Sequence, residues 1–169
     1  MPMPVRSHVS KRYRALVTDR TSTDRIRADC KFCAIAAGTT QAHVVLADEH
    51  TVGFLDARPV FKGHVLVVPR EHYLTLADLP GRLIEPFFRA VRLISAVIPA
   101  ALDAQGTFVA INNVVSQSVP HLHAHVVPRT RGDGLRGFFW PRHKYDSEGE
   151  AATFAAKIRA VVDEGLPLP

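Results

Sequence analysis

The feature that most constrains this chain is a run of three histidines at alternate positions in the stretch SVPHLHAHVVP. Alternate residues of an extended strand point to one face and lie roughly 6.6 Å apart. The pattern therefore predicts a strand over 121–128 that presents His121, His123 and His125 on one face and packs the intervening apolar residues on the other. Ser, Thr or Lys would serve a merely solvent-facing stripe equally well, so three imidazoles indicate chemistry.

The rest of the chain predicts an α+β fold with an antiparallel sheet. Strands are predicted in HVVLAD, TVGFLD, GHVLVVPR, TFVAIN and HLHAHVVP, with a tight turn at Glu49 and His50 between the first two. GHVLVVPR is apolar at nearly every position and is therefore expected at the centre of the sheet. A long helix is predicted from Leu83 to about Leu102, with Pro86 in its first turn and Pro99 ending or kinking it. CKFCAIAAG predicts a metal-binding turn and a short helix ended by Gly38, and EGEAATFAAKIRAVVDEG predicts a terminal amphipathic helix.

Length and charge predict one main domain of 29–145, a basic leader of 1–28 that is partly disordered, and a C-terminal helix and tail of 146–169. The net charge of +5 is concentrated in the leader. A solvated leader is favoured over a nucleic-acid-binding arm, because no interleaved aromatic residues offer base stacking. No apolar run approaches the roughly 20 residues of a membrane span, and the start lacks the apolar core of a signal peptide. We therefore expect a cytoplasmic protein with neither a membrane nor a nucleic-acid partner.

Two chemical interpretations of the histidines stand side by side. Alternate histidines on a strand can jointly bind a catalytic metal with an open position for water. Alternatively, one imidazole attacks phosphorus while its neighbours orient it and bind the phosphate. SQS at 116–118 favours the second interpretation, because it supplies hydroxyl, amide and backbone N–H groups for phosphate oxygens. Gly63 and His64 open another strand, which can bring a fourth histidine to the same place.

The two cysteines indicate separate chemistry. Cys30 and Cys33 are spaced C-x-x-C, and in a reducing compartment this spacing indicates metal or redox chemistry rather than a structural disulfide. No βαβ pattern surrounds them, which argues against a thioredoxin-like redox motif.

Together these motifs resemble the histidine triad (HIT) superfamily. The similarity covers roughly residues 30–140 and includes CKFCAI, FLDARPVFKGHVLVVPREH, INN…SQSVPHLHAHVVPR and GDG. It implies a five-stranded antiparallel sheet with a long helix, paired into a homodimer. It also implies hydrolysis or transfer of a nucleoside monophosphate at its α-phosphate, through a nucleotidyl-histidine and without a catalytic metal. The implied substrate is a purine nucleotide derivative: a phosphoramidate, a dinucleoside polyphosphate or an adenylylated compound.

The resemblance implies a role for each matched residue. His123 is the nucleophile, His125 and His64 contact the phosphate, and Ser118 lies near the leaving atom; when protonated, His125 and His64 would offset developing negative charge. The nucleotide contacts are Phe32, Ile35 and Phe54 around the base, Asp56 at the ribose, and Asn112 and Gln117. Some bacterial members bind zinc, and the matching ligands are Cys30, Cys33, His72 and His121, a closed and therefore structural set.

The chain also departs from the family pattern. Val114 stands where members commonly have glycine, and the loop before Gln117 is about two residues shorter. Two interpretations of the aromatic GFFW at 137–140, which includes Trp140, stay open: a buried tail, which is favoured, or a segment near the nucleotide of a neighbouring subunit. His8, His43, His50 and His143 have no motif around them and are expected at the surface. Two alternatives remain: a nucleotide-binding regulatory module whose basic arm contacts nucleic acid or protein, and a metal-dependent hydrolase using the three histidines as ligands.

Overall fold

A five-stranded antiparallel sheet forms the centre of the molecule, as the sequence predicts. The computed structural model describes residues 29–135 and 145–164. The strands are β1 (Val44–Ala47), β2 (Thr51–Leu55), β3 (Val65–Pro69), β4 (Gly106–Ile111) and β5 (Ala124–Arg129), and the helices are α1 (Lys31–Ala36), α2 (Gly81–Leu102) and α3 (Glu148–Glu164). The sheet order is β1-β2-β3-β5-β4, which puts β3 in the middle. All neighbouring strands are antiparallel.

The long helix α2 covers one face of this sheet. Its buried residues recur at helical spacing, from Leu83 through Phe87 and Val91 to Ile98. They pack against Val65 and Val67 of β3 and against the apolar residues between the histidines, namely Leu122, Ala124 and Val126. The alternation predicted from the sequence is therefore present, because these residues face α2 and the histidines face the opposite side.

The opposite face carries a smaller core around α1. Phe32 and Ile35 pack there with Phe54 of β2 and with Leu66 and Val68 of β3. Gly38, with φ of 74°, terminates the helix as predicted. The last carbonyls of a helix lack partners within the helix. Here Gly38 N–H donates to Ile35 O and Thr39 N–H donates to Ala34 O, so these two carbonyls are hydrogen-bonded. The short helix thus covers only part of the face and leaves the rest open.

The prediction for β5 was wrong at its start, because regular pairing begins at Ala124 rather than His121. β3 ends at Pro69, which has no N–H to donate to the ladder. The carbonyl of Pro69 accepts a hydrogen bond from the imidazole Nε2–H of His121. The next residue, Leu122, donates its N–H to Tyr73 O, which lies beyond the end of β3. The first two histidines consequently precede the strand while keeping its alternation of sides.

Helix α2 also differs from its prediction at both prolines. It begins at Gly81, so Pro86 lies in the second turn rather than the first. Pro99 neither ends nor limits the helix, which continues to Leu102 and stops where Asp103 adopts a left-handed φ of 51°. Ala104 N–H donates to the carbonyl of Pro99, which closes the last turn. Each proline removes one backbone donor, and the buried apolar stripe on α2 outweighs this loss.

Several predictions fall outside the described residues: the leader 1–28, the aromatic segment 137–140 with Trp140, and His8 and His143. The predicted terminal helix is present as α3, and its apolar residues Phe154 and Ile158 are exposed. Within the described ranges, no helix combines the length and the apolar character needed to cross a bilayer.

Candidate functional site

Two cysteines and two histidines meet at one end of the histidine stretch. Cys30 Sγ lies 3.4 Å from His121 Nδ1, and Cys33 Sγ lies 3.2 Å from His72 Nδ1 and 3.5 Å from His121 Nδ1. One ligand atom from each of the four residues falls within 4.8 Å of all the others. The four residues that the sequence assigned to zinc therefore converge on one point.

Local structure explains this convergence. Cys30 is the N-cap of α1, and its Sγ accepts the N–H of Cys33, so both sulfurs lie at the start of the helix. His72 follows the end of β3, while His121 precedes the start of β5. Because these two strands are antiparallel neighbours, the end of one lies beside the start of the other.

The chemistry of the donor set fits a zinc ion. His121 Nε2–H donates to Pro69 O at 2.9 Å, which leaves Nδ1 unprotonated and turned toward the sulfurs. Burial, the largest effect, lowers the pKa of His121 from 6.5 to about 4, against the opposing hydrogen bond to Pro69. A neutral imidazole whose far nitrogen is bonded to a carbonyl is the form that binds metals. Two sulfurs and two imidazoles match the composition of a closed structural zinc site.

The next histidine along the chain has the orientation of a nucleophile. His123 Nδ1–H donates to the carbonyl of His121 at 2.7 Å, so the neutral ring carries its lone pair on Nε2. The ring of Phe32 packs edge-on at 5.2 Å and restricts its rotation. His123 is only 2% exposed, yet it lines the cleft described below. The orientation of the His123 ring is therefore fixed by one hydrogen bond and one aromatic contact.

His125, the third histidine of the stretch, lies at one end of a series of polar side chains that continues through His64 to Asp56. His64 Nε2 lies 3.0 Å from His125 Nδ1, and His64 Nδ1 lies 3.5 Å from Asp56 Oδ2. Val60 N–H donates to His64 Nδ1, which places the proton of neutral His64 on Nε2, where it is donated to His125. His125 then carries its own proton on Nε2. His64 is buried and absent from the cleft lining, so it acts on the cleft through His125.

Burial shifts the two imidazoles of His64 and His125 toward their neutral forms. Burial lowers the pKa of His64, with Asp56 opposing and His123 adding to the effect. Burial and the adjacent His123 and His64 lower the pKa of His125 to about 4. The predicted charge offset applies only to the protonated histidines, and burial disfavours that form. Removal from water disfavours the imidazolium, and the groups serve as neutral hydrogen-bond donors.

A cleft of about 670 Å³ opens beside His123 and His125 on the face that α1 covers only partly. Most of the predicted nucleotide contacts line it: Phe32, Ile35, Phe54, Asp56, Ser118, His123 and His125. Apolar rings thus lie near the imidazoles in one concave site, which is the usual make-up of a small-molecule site.

Two predicted contacts lie elsewhere. Gln117 Nε2 donates to Leu74 O, and its Oε1 accepts the N–H of Val114, so its amide secures the loop. Asn112 Nδ2 donates to Ser116 O across the same loop, and neither residue lines the cleft. Sequence reasoning missed other lining residues, which are Lys31, Gln41, Ala42, His43, Leu55, Ala57, Arg58, Leu66 and Val119. Lys31 and Arg58 were detectable, since they lie within the matched motifs CKFCAI and FLDARPVFKGHVLVVPREH.

The three triad histidines do not converge on a common metal. His121 belongs to the cysteine cluster, while His125 is grouped with Asp56 and His64. His123 joins neither group among the described residues. The rings of His123 and His125 are neighbours, with centroids 4.9 Å apart, but His123 is bonded to the carbonyl of His121 whereas His125 faces His64. This arrangement contradicts the alternative of a metal held jointly by all three.

Comparison with known proteins identifies the family. The chain matches the HIT domain family over residues 37–132 and therefore belongs to it. It is similar to a HIT family member from Bacillus subtilis, with a TM-score of 0.72 and 32% identity, covering 78% of this chain and 96% of that one.

Two further relatives are informative about chemistry. A zinc-bound histidine triad family protein from Mycobacterium smegmatis has a TM-score of 0.61 and 34% identity, covering 79% of this chain and 99% of that one. Adenylylsulfatase HINT3 from Arabidopsis thaliana is 28% identical over 147 residues, which are 83% of this chain and 73% of that protein.

Proposed function

We propose that this protein is a nucleotide hydrolase or nucleotidyltransferase that acts at the α-phosphate of a nucleoside monophosphate derivative. The observation that carries the proposal is His123, whose Nδ1–H is bonded to His121 O and whose Nε2 is left as a lone pair beside the cleft. Membership of the HIT family supports it, as does the similarity to an adenylylsulfatase.

The proposed reaction has two displacements at phosphorus. In the first, His123 Nε2 forms a bond to the α-phosphorus and the bond to the leaving group breaks, with the electron pair departing on that group. In the second, water attacks the phosphorus of the nucleotidyl-histidine, the P–N bond breaks, and the water proton passes to solvent or to the released imidazole. An acceptor other than water gives transfer. Covalent catalysis thereby divides one difficult displacement into two easier ones.

The neighbouring groups have distinct proposed roles. His125, whose Nδ1 faces His64, offers Nε2–H to a non-bridging oxygen of the α-phosphate. His64 is a positioning residue that fixes this tautomer, and Ser118 lies in the cleft lining near the leaving atom. Asp56 binds the ribose hydroxyls, and Phe32, Ile35 and Phe54 enclose a purine base. Asn112 and Gln117 hold the adjoining loop.

We further propose a structural zinc ion held by Cys30, Cys33, His72 and His121. When bound, it would cross-link α1 to the ends of β3 and β5, and no reaction step is assigned to it. The donor atoms within 4.8 Å and the zinc-bound relative support this assignment. Thiolate ligands require a reducing environment, which agrees with the expected cytoplasmic location.

A homodimer is proposed on the exposed edge of the sheet. β4 is an edge strand with Val109 exposed, and α2 beside it exposes Ile84 and Phe88. Two-fold pairing through β4 would satisfy its open backbone groups and cover these apolar side chains. Light scattering at micromolar concentration tests the assembly: we expect twice the 18.6 kDa chain mass, and a monomer at all concentrations contradicts it.

The decisive experiment for the function is trapping of the covalent intermediate. Wild-type protein and His123→Ala are mixed with α-³²P-labelled adenosine phosphoramidate, diadenosine polyphosphate and adenylyl sulfate, then denatured in alkali, which preserves phosphohistidine. We expect label on the wild-type chain alone and a loss of turnover of about a thousandfold or more in the variant. His50→Ala, in the turn between β1 and β2, is the matched control. Nucleotide binding without turnover of any substrate would favour a regulatory module instead.

A further inference from the structure

Two basic side chains at the mouth of the cleft have no assigned role. Lys31 and Arg58 both line the cleft and are exposed. Neither takes part in an ion pair or a side-chain hydrogen bond with another described residue. Three other arginines of the described residues, Arg82, Arg89 and Arg129, are each paired with a carboxylate. The two cleft cations are therefore available to a ligand.

Little else in the cleft supplies positive charge. Asp56 is the only carboxylate in the described lining; its Oδ1 accepts the backbone N–H of Arg58, and its Oδ2 faces His64. The buried imidazoles of His64 and His125 favour their neutral forms. The permanent positive charge facing a bound anion thus comes from Lys31 and Arg58, and it exceeds the charge of the one carboxylate.

Both cations lie close in sequence to groups proposed to hold the nucleotide. Lys31 precedes Phe32, whose ring contacts His123 at 5.2 Å. Arg58 lies two residues beyond Asp56 and is tied to its carboxylate by the 2.9 Å hydrogen bond from the backbone. A nucleotide that contacts Phe32 and Asp56 would therefore share the cleft with both basic side chains. The α-phosphate itself is already met by His123 and His125.

We propose that Lys31 and Arg58 form a second anion subsite, so that preferred substrates carry another phosphate or sulfate besides the α-phosphate. This inference rests on the proposed function and narrows its substrate class. The additional oxyanion has two possible positions, the leaving group beyond the α-phosphate or a phosphate on the ribose. In both positions Lys and Arg would bind it with charge-assisted hydrogen bonds.

Binding of three ligands that cannot react tests the subsite: AMP, adenosine 3′,5′-bisphosphate, and ADP as its α,β-methylene analogue, which is written ADP below. Dissociation constants are measured by calorimetry for the wild type, for Lys31→Ala/Arg58→Ala, and for the control Lys62→Ala/Arg92→Ala. The control removes the same charges from exposed positions outside the cleft. Zinc content and circular dichroism check that the variants are folded.

We expect ADP or the bisphosphate to bind the wild type and the control about tenfold more tightly than AMP, at about threefold per exposed cation. The advantage should vanish in the cleft variant and shrink at high salt. Tighter ADP binding identifies the leaving-group position, and tighter bisphosphate binding identifies the ribose. An equal affinity of the wild type for all three ligands, or an advantage retained by the cleft variant, overturns the subsite while leaving the proposed function intact. Failure to bind AMP at all overturns both.

Discussion

The two ends of the histidine stretch use the same residue type for opposite purposes. At one end, His121 is fully buried and its Nδ1 faces two sulfurs and a second imidazole. At the other end, His123 and His125 line an open cleft and face no sulfur. Only two positions along the chain, from His121 to His123, separate a closed cluster that fits a metal from a cleft that fits a substrate.

The difference comes from what the sheet places opposite each histidine. The end of β3 and the start of α1 bring His72, Cys30 and Cys33 to the first position, while the start of β3 brings His64 to the third. The two ends are nevertheless linked, since the carbonyl of His121 accepts the hydrogen bond that sets the tautomer of His123. One backbone group therefore connects the proposed metal site to the proposed nucleophile.

The largest expected effect on stability comes from removing one ligand of the proposed zinc site. Cys33→Ser should remove about one zinc ion per chain and lower the melting temperature by roughly 10 °C or more, because a buried ligand set loses its cross-link. Metal analysis and scanning calorimetry measure both quantities. Ala34→Ser, the next residue of α1, is the matched control and should retain its zinc. Full zinc content in the Cys33 variant would contradict the assigned ligands.

At the end of the stretch that lines the cleft, we expect His125 to titrate at an unusually low pH. The pKa of His125 is lowered to about 4 by burial and by the neighbouring imidazoles, so its resonance should titrate well below 6.5 in NMR spectra, with His125→Gln providing the assignment. Because the folded pKa lies below the unfolded value, the unfolded chain binds more protons between pH 6.5 and about 4. This residue's contribution to stability is thus present above pH 6.5 and is lost as the pH falls through that window. A midpoint at or above 6.5 would show that the site is wetter than the structure indicates.

The smallest effect concerns the loop that leads into the histidines. Val114 has a φ of 67° and is exposed, a backbone conformation that is costly for a β-branched residue. Val114→Gly should therefore raise stability by about 1 kcal/mol, or roughly 3 °C in melting temperature. Val115→Gly is the matched control, since Val115 is also exposed but lacks a positive φ. Equal shifts in the two variants would argue against strain at Val114.

Prediction from the sequence was most accurate where a local pattern decides the structure. Alternating apolar residues placed the histidines opposite α2, and the uniformly apolar β3 became the central strand. Boundaries were less predictable where tertiary contacts intervene. Pro69 and the His121 side chain delay β5 by three residues, and α2 begins at Gly81, two residues before the predicted Leu83, although it ends at Leu102 as predicted.

Side-chain type and spacing by themselves determined the fold class, the cysteine pair and the set of histidines available for chemistry, because period and turn residues are local properties. Only the tertiary structure decided which imidazole faces sulfur, which faces the cleft, and that Gln117 braces a loop instead of lining the site. It also decided the protonation of His64 and His125, whose pKa values fall through burial by distant parts of the chain. The burial and the hydrogen-bond partners of a histidine depend on groups that the fold brings together across the sheet. The spacing of residues along one segment therefore does not predict them.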